Sequence, residues 1–256
     1  LTSGIGAFAI WEKMVQPTSP ITRVRIWNTN LNSMLYCEVP VEGGWPLEKG
    51  DYNIPGVPGT GAKIQVDFAE TAGQGTGALL PTGNPMDRLD VAGFGAIDAS
   101  MIDIGNPHVF IRAKDVGMTG TETADEIDAD KTLCDLLEKI RSHAAYSMGM
   151  ISTPDRGKQE SPAAPIIGMI SPSQDYDAPL SDRTVSASEC DFLSRLMFMQ
   201  QTHKTYAGTS TVCTGIASKL PGTIVHEACR DDAQDRMEVR IGHPAGVIET
   251  ESVVEL

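Results

Sequence analysis

Apolar and polar residues alternate along several short stretches of the chain, and this period of two predicts β-strands. Alternating runs at 21–27 and 34–39 are joined by the asparagine-rich turn 28–32, which predicts a hairpin. A further alternating run at 62–68 follows an irregular segment rich in glycine and proline, and the apolar run 165–170 is typical of a strand buried on both faces. Strands are therefore expected in both the first and the second half of the sequence.

A helical period appears in three other places. The first helix is predicted over 5–15, and the second begins at Asp130, an N-cap residue followed by an apolar stripe over 133–144. The third is predicted over 212–220 and ends at Pro-Gly. The run DFLSRLMFM at 191–199 fits either a strand or a helix. Helices interspersed with strands predict a mixed α and β protein.

Two of these helices begin in the same way. Thr2, Ser3 and Gly4 precede the first helix, and residues 208–211 (Gly-Thr-Ser-Thr) precede the third. Small hydroxyl residues are common helix caps, so each start has an ordinary structural explanation. The free N–H groups of a helix start also bind carboxylates. Two such helices, each surrounded by strands, predict two similar halves and favour a cleft that binds an anion.

Composition and charge narrow the function classes. The chain has 256 residues, enough for one large domain or two smaller ones. A net charge of -14 argues against a nucleic acid or an anionic membrane as partner, and no apolar run is long enough to span a bilayer. Five widely spaced cysteines without a zinc pattern favour a reducing, cytoplasmic environment.

Few residues are candidates for chemistry. The histidines lack metal-ligand spacing and the glycine-rich segments lack a nucleotide-binding motif, so neither a metal nor a cofactor is predicted. The acidic segment 121–130 is interpreted as the solvated first turn of the second helix. Cys213 fits core packing better than a nucleophilic role. Asn106 and His108 are unusual, because they interrupt two apolar runs with polar side chains.

Four segments together resemble a known family. They are DIGNPHVFI at 103–111, LLPTGNPMD at 79–87, TVCTGIASKLPGTIVHE at 211–227 and IGHPAGVIE at 241–249. Their order and spacing resemble the PrpF family, which groups methylaconitate isomerase, methylitaconate isomerase and 4-oxalomesaconate tautomerase within the diaminopimelate epimerase superfamily. The resemblance extends over essentially all 256 residues.

The resemblance implies an α+β fold of two related halves, each a β-sheet wrapped round a central helix. Residues 1–88 would be the remainder of the first half, and residues 89–256 the second half, with the chain end packing back on the first. The sequence is expected to be truncated at both ends, at Leu1 and at Leu256. A further segment of the same chain or a second copy is expected to complete the first half.

The resemblance also implies a site in the cleft where the two helix starts converge. The implied substrate-binding residues are Thr2, Ser3, Gly105, Asn106, Thr209, Ser210, Thr211, His243 and Gly246. The hydroxyl residues would cap the two helices, the Asn106 amide would donate to a substrate carboxylate, and His108 would brace the turn. Residues 242–246 would form another wall, in which Ala245 stands where serine is common in relatives.

The implied chemistry is a proton transfer on an unsaturated di- or tricarboxylate, without metal or cofactor. A base removes an allylic proton, and the helix N–H groups stabilise the resulting charge on a bound carboxylate. The expected base, a lysine, and its cysteine partner would lie before Leu1, so no catalytic residue is assigned. Double-bond migration and cis/trans isomerisation share one carbanion and stay open.

Two other functions stay open on sequence grounds. One is a non-catalytic accessory or binding protein of the same fold, associated with an aconitase-type enzyme. The other is an amino-acid epimerase, which would need a thiol at each helix start. Cys213 lies inside the third helix rather than at its cap, which argues against the epimerase.

Overall fold

The structure is a computed structural model that describes residues 2–29 and 32–254. Its helices are α1 Thr2–Trp11, α2 Ala124–Ala129, α3 Lys131–Ser147, α4 Gly157–Glu160, α5 Gly208–Lys219, α6 Ile224–Ala228 and α7 Asp231–Gln234. Its strands are β1 Ile21–Asn28, β2 Ser33–Glu42, β3 Trp45–Pro46, β4 Gln65–Asp67, β5 Asp87–Val91, β6 Gly95–Ile104, β7 Asn106–Arg112, β8 Ile166–Pro172, β9 Tyr176–Ala178, β10 Arg183–Val185, β11 Phe192–Phe198, β12 Gln201–Thr202, β13 Glu238–His243 and β14 Gly246–Glu251.

The first sheet is built on the hairpin that the alternation predicts. Strands β1 and β2 are antiparallel, and the short strands β3 and β4 both pair with β2. The hairpin prediction is confirmed, whereas the strand expected over 62–68 shrinks to β4. Asn30 and Leu31, in the predicted turn, lie outside the described residues.

Helix α1 packs on this sheet through one face only. Ile10 is buried against Val39 and its neighbours on β1 and β2. A Cβ at Gly6 would lie 2.5 Å from Cys37 Sγ, so glycine allows the helix to approach the sheet closely. On the opposite face, Ile5 and Phe8 are exposed.

The second sheet has eight strands and is covered on both faces. Its order is β14-β13-β11-β8-β7-β6-β5, and β12 adds to β11. Alternate residues of one strand therefore enter different cores, since successive side chains of a strand point to opposite faces. Val109 packs in the core under α3, and Phe110 packs in the core under α5. The ambiguous run 191–199 forms strand β11.

The acidic segment 121–130 does not fold as the sequence predicts. It does not form the first turn of the long helix but the separate helix α2, because Thr123 and Glu126 form a capping box that starts it. Asp130 then ends α2, and its carboxylate accepts a hydrogen bond from Leu133 N at 3.0 Å, which starts α3. The N-cap prediction for Asp130 is confirmed.

The chain passes from the first sheet to the second near residues 88 and 89, where the boundary between the two halves is expected. The first sheet ends with β4, whereas β5 already belongs to the second sheet and includes residues 88 and 89. Gln65 of β4 donates to Glu251 of β14 at 3.3 Å, so the described end of the chain contacts the first sheet. Of the helices within residues 2–29 and 32–254, none is long and apolar enough to cross a bilayer.

Candidate active site

The turn between β6 and β7 places Asn106 against the start of α5. Gly105 makes this turn with φ +70°, and a Cβ there would lie 3.2 Å from Thr209 O. The Asn106 side chain donates from Nδ2 to Thr209 Oγ1 at 2.9 Å, and the Gly105 N–H donates to Thr71 Oγ1 at 2.9 Å. Three segments that are distant in sequence therefore meet at this turn.

His108 fixes the same turn from inside the core. Its Nδ1 lies 2.8 Å from the Asn106 carbonyl oxygen, and its Nε2 lies 2.8 Å from Ser210 Oγ. A carbonyl can only accept, so Nδ1 carries the proton and Nε2 accepts from the serine hydroxyl. Burial lowers the pKa of His108 to about 4, which keeps the ring neutral near pH 7.

The glycine-rich loop 70–77 supports the turn through Asp103. One Asp103 oxygen, Oδ2, accepts from Gly75 N at 2.8 Å, Thr76 N at 2.7 Å and Thr76 Oγ1 at 2.8 Å. Burial raises the pKa of Asp103, while these hydrogen bonds act in the opposite direction. A Cβ at Gly75 would lie 2.8 Å from Pro107 Cγ, so the loop approaches the turn only because this residue is glycine.

The start of α5 differs from the predicted cap. The N-cap is Ala207, which has no side chain able to cap, while Thr209, Ser210 and Thr211 lie in the first turn. The capping role predicted for these three residues is therefore wrong. The first-turn N–H groups of Gly208, Thr209 and Ser210 have no carbonyl partner within the helix, which leaves them able to bind an anion.

At the first helix, Thr2 and Ser3 likewise lie inside α1 rather than before it. The residue before them, Leu1, lies outside the described residues. The capping role predicted for Thr2 and Ser3 is therefore also wrong, because both positions are already helical.

Both helix starts line a single cleft of about 520 Å³ between the two sheets. Thr2 and Ser3 enter it from α1, and Thr209 and Thr211 enter it from α5. Asn106 is not among the residues that line this cleft, but it donates a hydrogen bond to Thr209, which lines it. Gly105 and Ser210 are buried and also lie outside the lining. The structure thus brings the two helix starts and the turn close together, and a role of these residues in substrate binding stays a prediction.

His243 and Gly246 lie elsewhere, in the β13–β14 hairpin and outside the lining of this cleft. His243 is buried beside Tyr206 with ring centroids 5.8 Å apart, and burial lowers its pKa to about 3. Gly246 has φ +139°, and a Cβ there would lie 2.9 Å from Pro55 Cβ. These contacts give both residues a packing role, and a role in substrate binding stays a prediction.

The sequence analysis missed the charged residues of the cleft. Lys63 lines it from the segment that precedes β4, and Glu238, Glu249 and Glu251 line it from β13 and β14. Alternation along the chain predicts these strands but not which sheet edge faces the other, so no sequence signal identifies the four residues. Within the described ranges, no group of three or more His, Cys, Asp or Glu residues is arranged to hold a metal.

Cys213 belongs to the core under α5. It is fully buried, its Sγ lies 3.7 Å from the Ile102 carbonyl oxygen, and burial raises the pKa of its thiol well above the ordinary value. Reactivity requires a thiolate, and this environment disfavours the thiolate. The core-packing interpretation is confirmed.

We therefore expect Cys213→Ser to retain at least about half of the turnover, because no thiol chemistry is lost. A hydroxyl in this apolar position should lower the free energy of unfolding by about 1–3 kcal/mol. Steady-state kinetics and urea unfolding of Cys213→Ser and Cys213→Ala measure the two effects separately. Loss of nearly all turnover in a stably folded variant would contradict the core role.

Comparison with known proteins assigns the chain to a family along its whole length. The family model described as PrpF protein matches residues 1–255. The chain is 48% identical over 255 residues to 3-methylitaconate isomerase of Eubacterium barkeri, covering 100% of this chain and 67% of that protein. It is 36% identical to 2-methyl-aconitate isomerase of Shewanella oneidensis, covering 97% of this chain and 63% of that protein.

Comparison with solved structures identifies the same family. The structure matches the crystal structure of methylitaconate-delta-isomerase with a TM-score of 0.92 at 48% identity, over 99% of this chain and 65% of that one. The chain thus spans about two thirds of the length of these relatives. The fold is the α+β diaminopimelate epimerase-like fold. This chain belongs to the PrpF family.

Proposed function

We propose that the protein carrying this chain is a cofactor-independent isomerase or tautomerase that moves a proton on an unsaturated di- or tricarboxylate. The observation that carries the proposal is the convergence of the α1 and α5 starts on one cleft beside Asn106. Its relatives of matching fold are named as isomerases of methylitaconate and methylaconitate, which supports the same reaction class.

The described residues would bind the substrate and stabilise charge. A carboxylate conjugated with the double bond is held by the first-turn N–H groups of α5, where the helix dipole is positive. Removing an allylic proton creates a dienolate-like carbanion whose negative charge spreads onto that carboxylate. Because these donors are already oriented, they stabilise the charge where it develops. The Asn106 amide adds a donor at the same place.

The proton-transfer residues themselves are proposed to lie outside the residues numbered here. The resemblance assigns them to a lysine and to a cysteine that would lie before Leu1. The described cleft then acts as the binding and charge-stabilising wall of the site.

We also propose the cellular setting and organisation. The five cysteines are free thiols, which supports a cytoplasmic location. The exposed apolar side chains of Ile5, Phe8 and Trp11 on α1 support coverage by further polypeptide, from the same chain or a second copy. The separation of the sheets supports two halves at 1–88 and 89–256, although the exact boundary falls inside β5.

Solvent deuterium uptake tests the proposed reaction. The protein carrying this chain is incubated in deuterated buffer with methylitaconate, trans-aconitate or oxalomesaconate, and proton NMR follows the allylic signals. We expect loss of those signals for at least one acid, since a carbanion reprotonates from solvent. Absence of exchange with all three acids would refute the isomerase. Retained binding in that case would favour a non-catalytic binding protein.

A further inference from the structure

A loop of the first half contacts the second half beside the cleft. This loop, residues 52–61, lies between β3 and β4, and its tip is formed by Pro55 and Gly56. A Cβ at Gly56 would lie 2.6 Å from Thr205 Cγ2, and a Cβ at Gly246 would lie 2.9 Å from Pro55 Cβ. Glycine on both sides therefore lets the loop tip and the β13–β14 hairpin approach more closely than a side chain would allow.

Each chain segment at this contact continues directly into the lining of the cleft. Tyr52, three residues before the tip, lines the cleft from the first half. Gly208 lines it from α5, three residues after Thr205, and Ile248 lines it from β14, two residues after Gly246. Three residues of chain span at most about 11 Å, so a change in the separation at the contact also changes the separation of the cleft walls.

Both sides of the contact are held rigidly by hydrogen bonds. The loop is braced across its base, where the backbones of Tyr52 and Gly61 exchange two hydrogen bonds of 3.0 and 3.1 Å. On the other side, the Tyr176 hydroxyl donates to the Gly246 carbonyl oxygen, and the Ser181 hydroxyl donates to the preceding carbonyl oxygen. Bulk added between two braced segments therefore moves them apart, because neither side deforms easily.

The first half also contacts β14 at its other end. Gln65 of β4 donates to Glu251 at 3.3 Å, five residues along the strand from Gly246. The cleft residues Ile248 and Thr250 lie between these two contacts. The position of β14 against the first half is therefore set at two points, one on each side of the residues that line the cleft.

We propose that Gly246 is a positioning residue whose contact with Pro55 sets the separation of the cleft walls, and with it the distance between the α1 and α5 starts. This inference rests on the proposed function. The α5 donors belong to the second half, whereas the proposed base precedes Leu1 and is assigned to the first half. Proton transfer needs the bound acid and the base at a fixed distance, and a misplacement of about 1 Å can lower the rate about 100-fold. Gly246 then acts on the reaction without touching the substrate.

The first test is Gly246→Ala in the protein carrying this chain, with methylitaconate as ligand, or trans-aconitate where only that acid binds. The added methyl group would lie 2.9 Å from Pro55 Cβ and push the loop away. We expect kcat to fall by about tenfold and the calorimetric Kd to rise by about threefold, because binding keeps the α5 donors while proton transfer loses its geometry.

Gly95→Ala is the matched control. Gly95 also begins the second strand of a hairpin and has a positive φ, of +110°, but a Cβ there would meet nothing within 4 Å. The control therefore adds the same methyl group and a similar backbone strain without a collision. We expect it to leave kcat and Kd within about twofold of the wild-type values.

Removal of the Pro55 side chain separates the collision from strain in the hairpin itself. Gly246 has φ +139°, which strains alanine whatever lies nearby. In a Pro55→Gly background the strain remains, but the two atoms closest to the added methyl group, Pro55 Cβ and Cγ, are gone. Measured against Pro55→Gly alone, we expect Gly246→Ala to change kcat and Kd by less than about twofold. An equal loss in both backgrounds would overturn the inference, in favour of strain or of direct contact with the substrate.

The other side of the contact gives a second pair of variants if thermal unfolding shows that Gly246→Ala does not fold. The methyl group of Gly56→Ala would lie 2.6 Å from Thr205 Cγ2, an atom that Thr205→Ser removes. We expect Gly56→Ala to lower kcat by about tenfold and the added Thr205→Ser to raise it again by at least about threefold. No recovery would overturn the inference.

The two readouts separate this inference from the proposed function. Unchanged kcat and Kd in Gly246→Ala, in a protein that exchanges protons, would overturn the inference and leave the isomerase intact. A rise of the Kd that disappears in the Pro55→Gly background, in a protein that exchanges no proton, would support the inference and refute the isomerase. Failure of the wild-type protein to bind either methylitaconate or trans-aconitate would overturn both.

Discussion

Replacement of Asn106 by alanine is expected to raise the KM for the unsaturated acid by about 10- to 100-fold, the effect of losing a hydrogen bond to a charged group. The Asn106 amide lies at the start of α5, where it also orients the Thr209 hydroxyl at 2.9 Å. The substitution removes the Asn106 amide as a donor and frees the Thr209 hydroxyl from its hydrogen bond. Stability should change little, since the side chain is only half-buried and its one hydrogen bond is to a hydroxyl.

The variant Asn106→Asp tests the same role of Asn106 with a larger expected effect. The substitution keeps the size and shape of the side chain but places a negative charge where the substrate carboxylate binds, so the KM should rise further than in Asn106→Ala. Asn84→Ala is the matched control, because Asn84 is an exposed turn residue that hydrogen-bonds Asp87 away from the cleft. Steady-state kinetics and thermal unfolding of the three variants measure affinity and stability separately. A large loss of stability with normal affinity would show that Asn106 is structural.

The sequence predicts the fold best where one period dominates. The β1–β2 hairpin and helix α3 follow from clear periods of two and of 3.6 residues, and both are confirmed. Strand β11 has large apolar side chains on both faces because helices cover both sides of the second sheet. A strand of that kind has no alternation, so the sequence could not separate it from a buried helix.

Local capping was the less predictable part of the fold. Hydroxyl residues before an apolar run are the usual caps, yet α5 begins at Gly208 after Ala207, four residues before the predicted start of the helix. The difference matters for chemistry, because a capped helix start would have filled some of its own N–H groups. The capping box of α2 had a sequence signature, Thr123 with Glu126, that the acidic character of the segment concealed.

Part of the candidate site could likewise be predicted from the sequence, and part could not. The Asn106 turn was predictable, since polar side chains between apolar runs need a reason beyond packing. The role of the 70–77 loop was not, because its contacts with Asp103 and Gly105 join residues about 30 positions apart. Lys63 was hidden for the same reason: its place in the cleft depends on how the two sheets face each other.

Acid should destabilise the protein through His108. The pKa of this histidine falls from the ordinary 6.5 to about 4 in the folded state, because burial disfavours the charged ring. Between these two values the unfolded chain binds a proton at His108 and the folded chain does not. The contribution to stability is therefore fully present above pH 6.5, is lost as the pH falls, and does not change further below about pH 4. The difference of pKa corresponds to about 3 kcal/mol.

Urea unfolding at pH 7.5 and at pH 4.5 measures this effect, and His108→Gln isolates it. Glutamine keeps a hydrogen-bonding side chain at the position but cannot titrate, so its stability should fall less between the two pH values. Burial lowers the pKa of His243 as well, to about 3, and that contribution remains in both proteins and cancels in the comparison. Parallel loss of stability in the wild type and His108→Gln would contradict the prediction. An NMR titration in which the His108 ring of the folded protein takes up its proton near pH 6.5 would do the same. Because the ring holds Ser210 and Asn106 in place, we expect its protonation in the folded protein, near pH 4, to loosen the start of α5 and to weaken substrate binding.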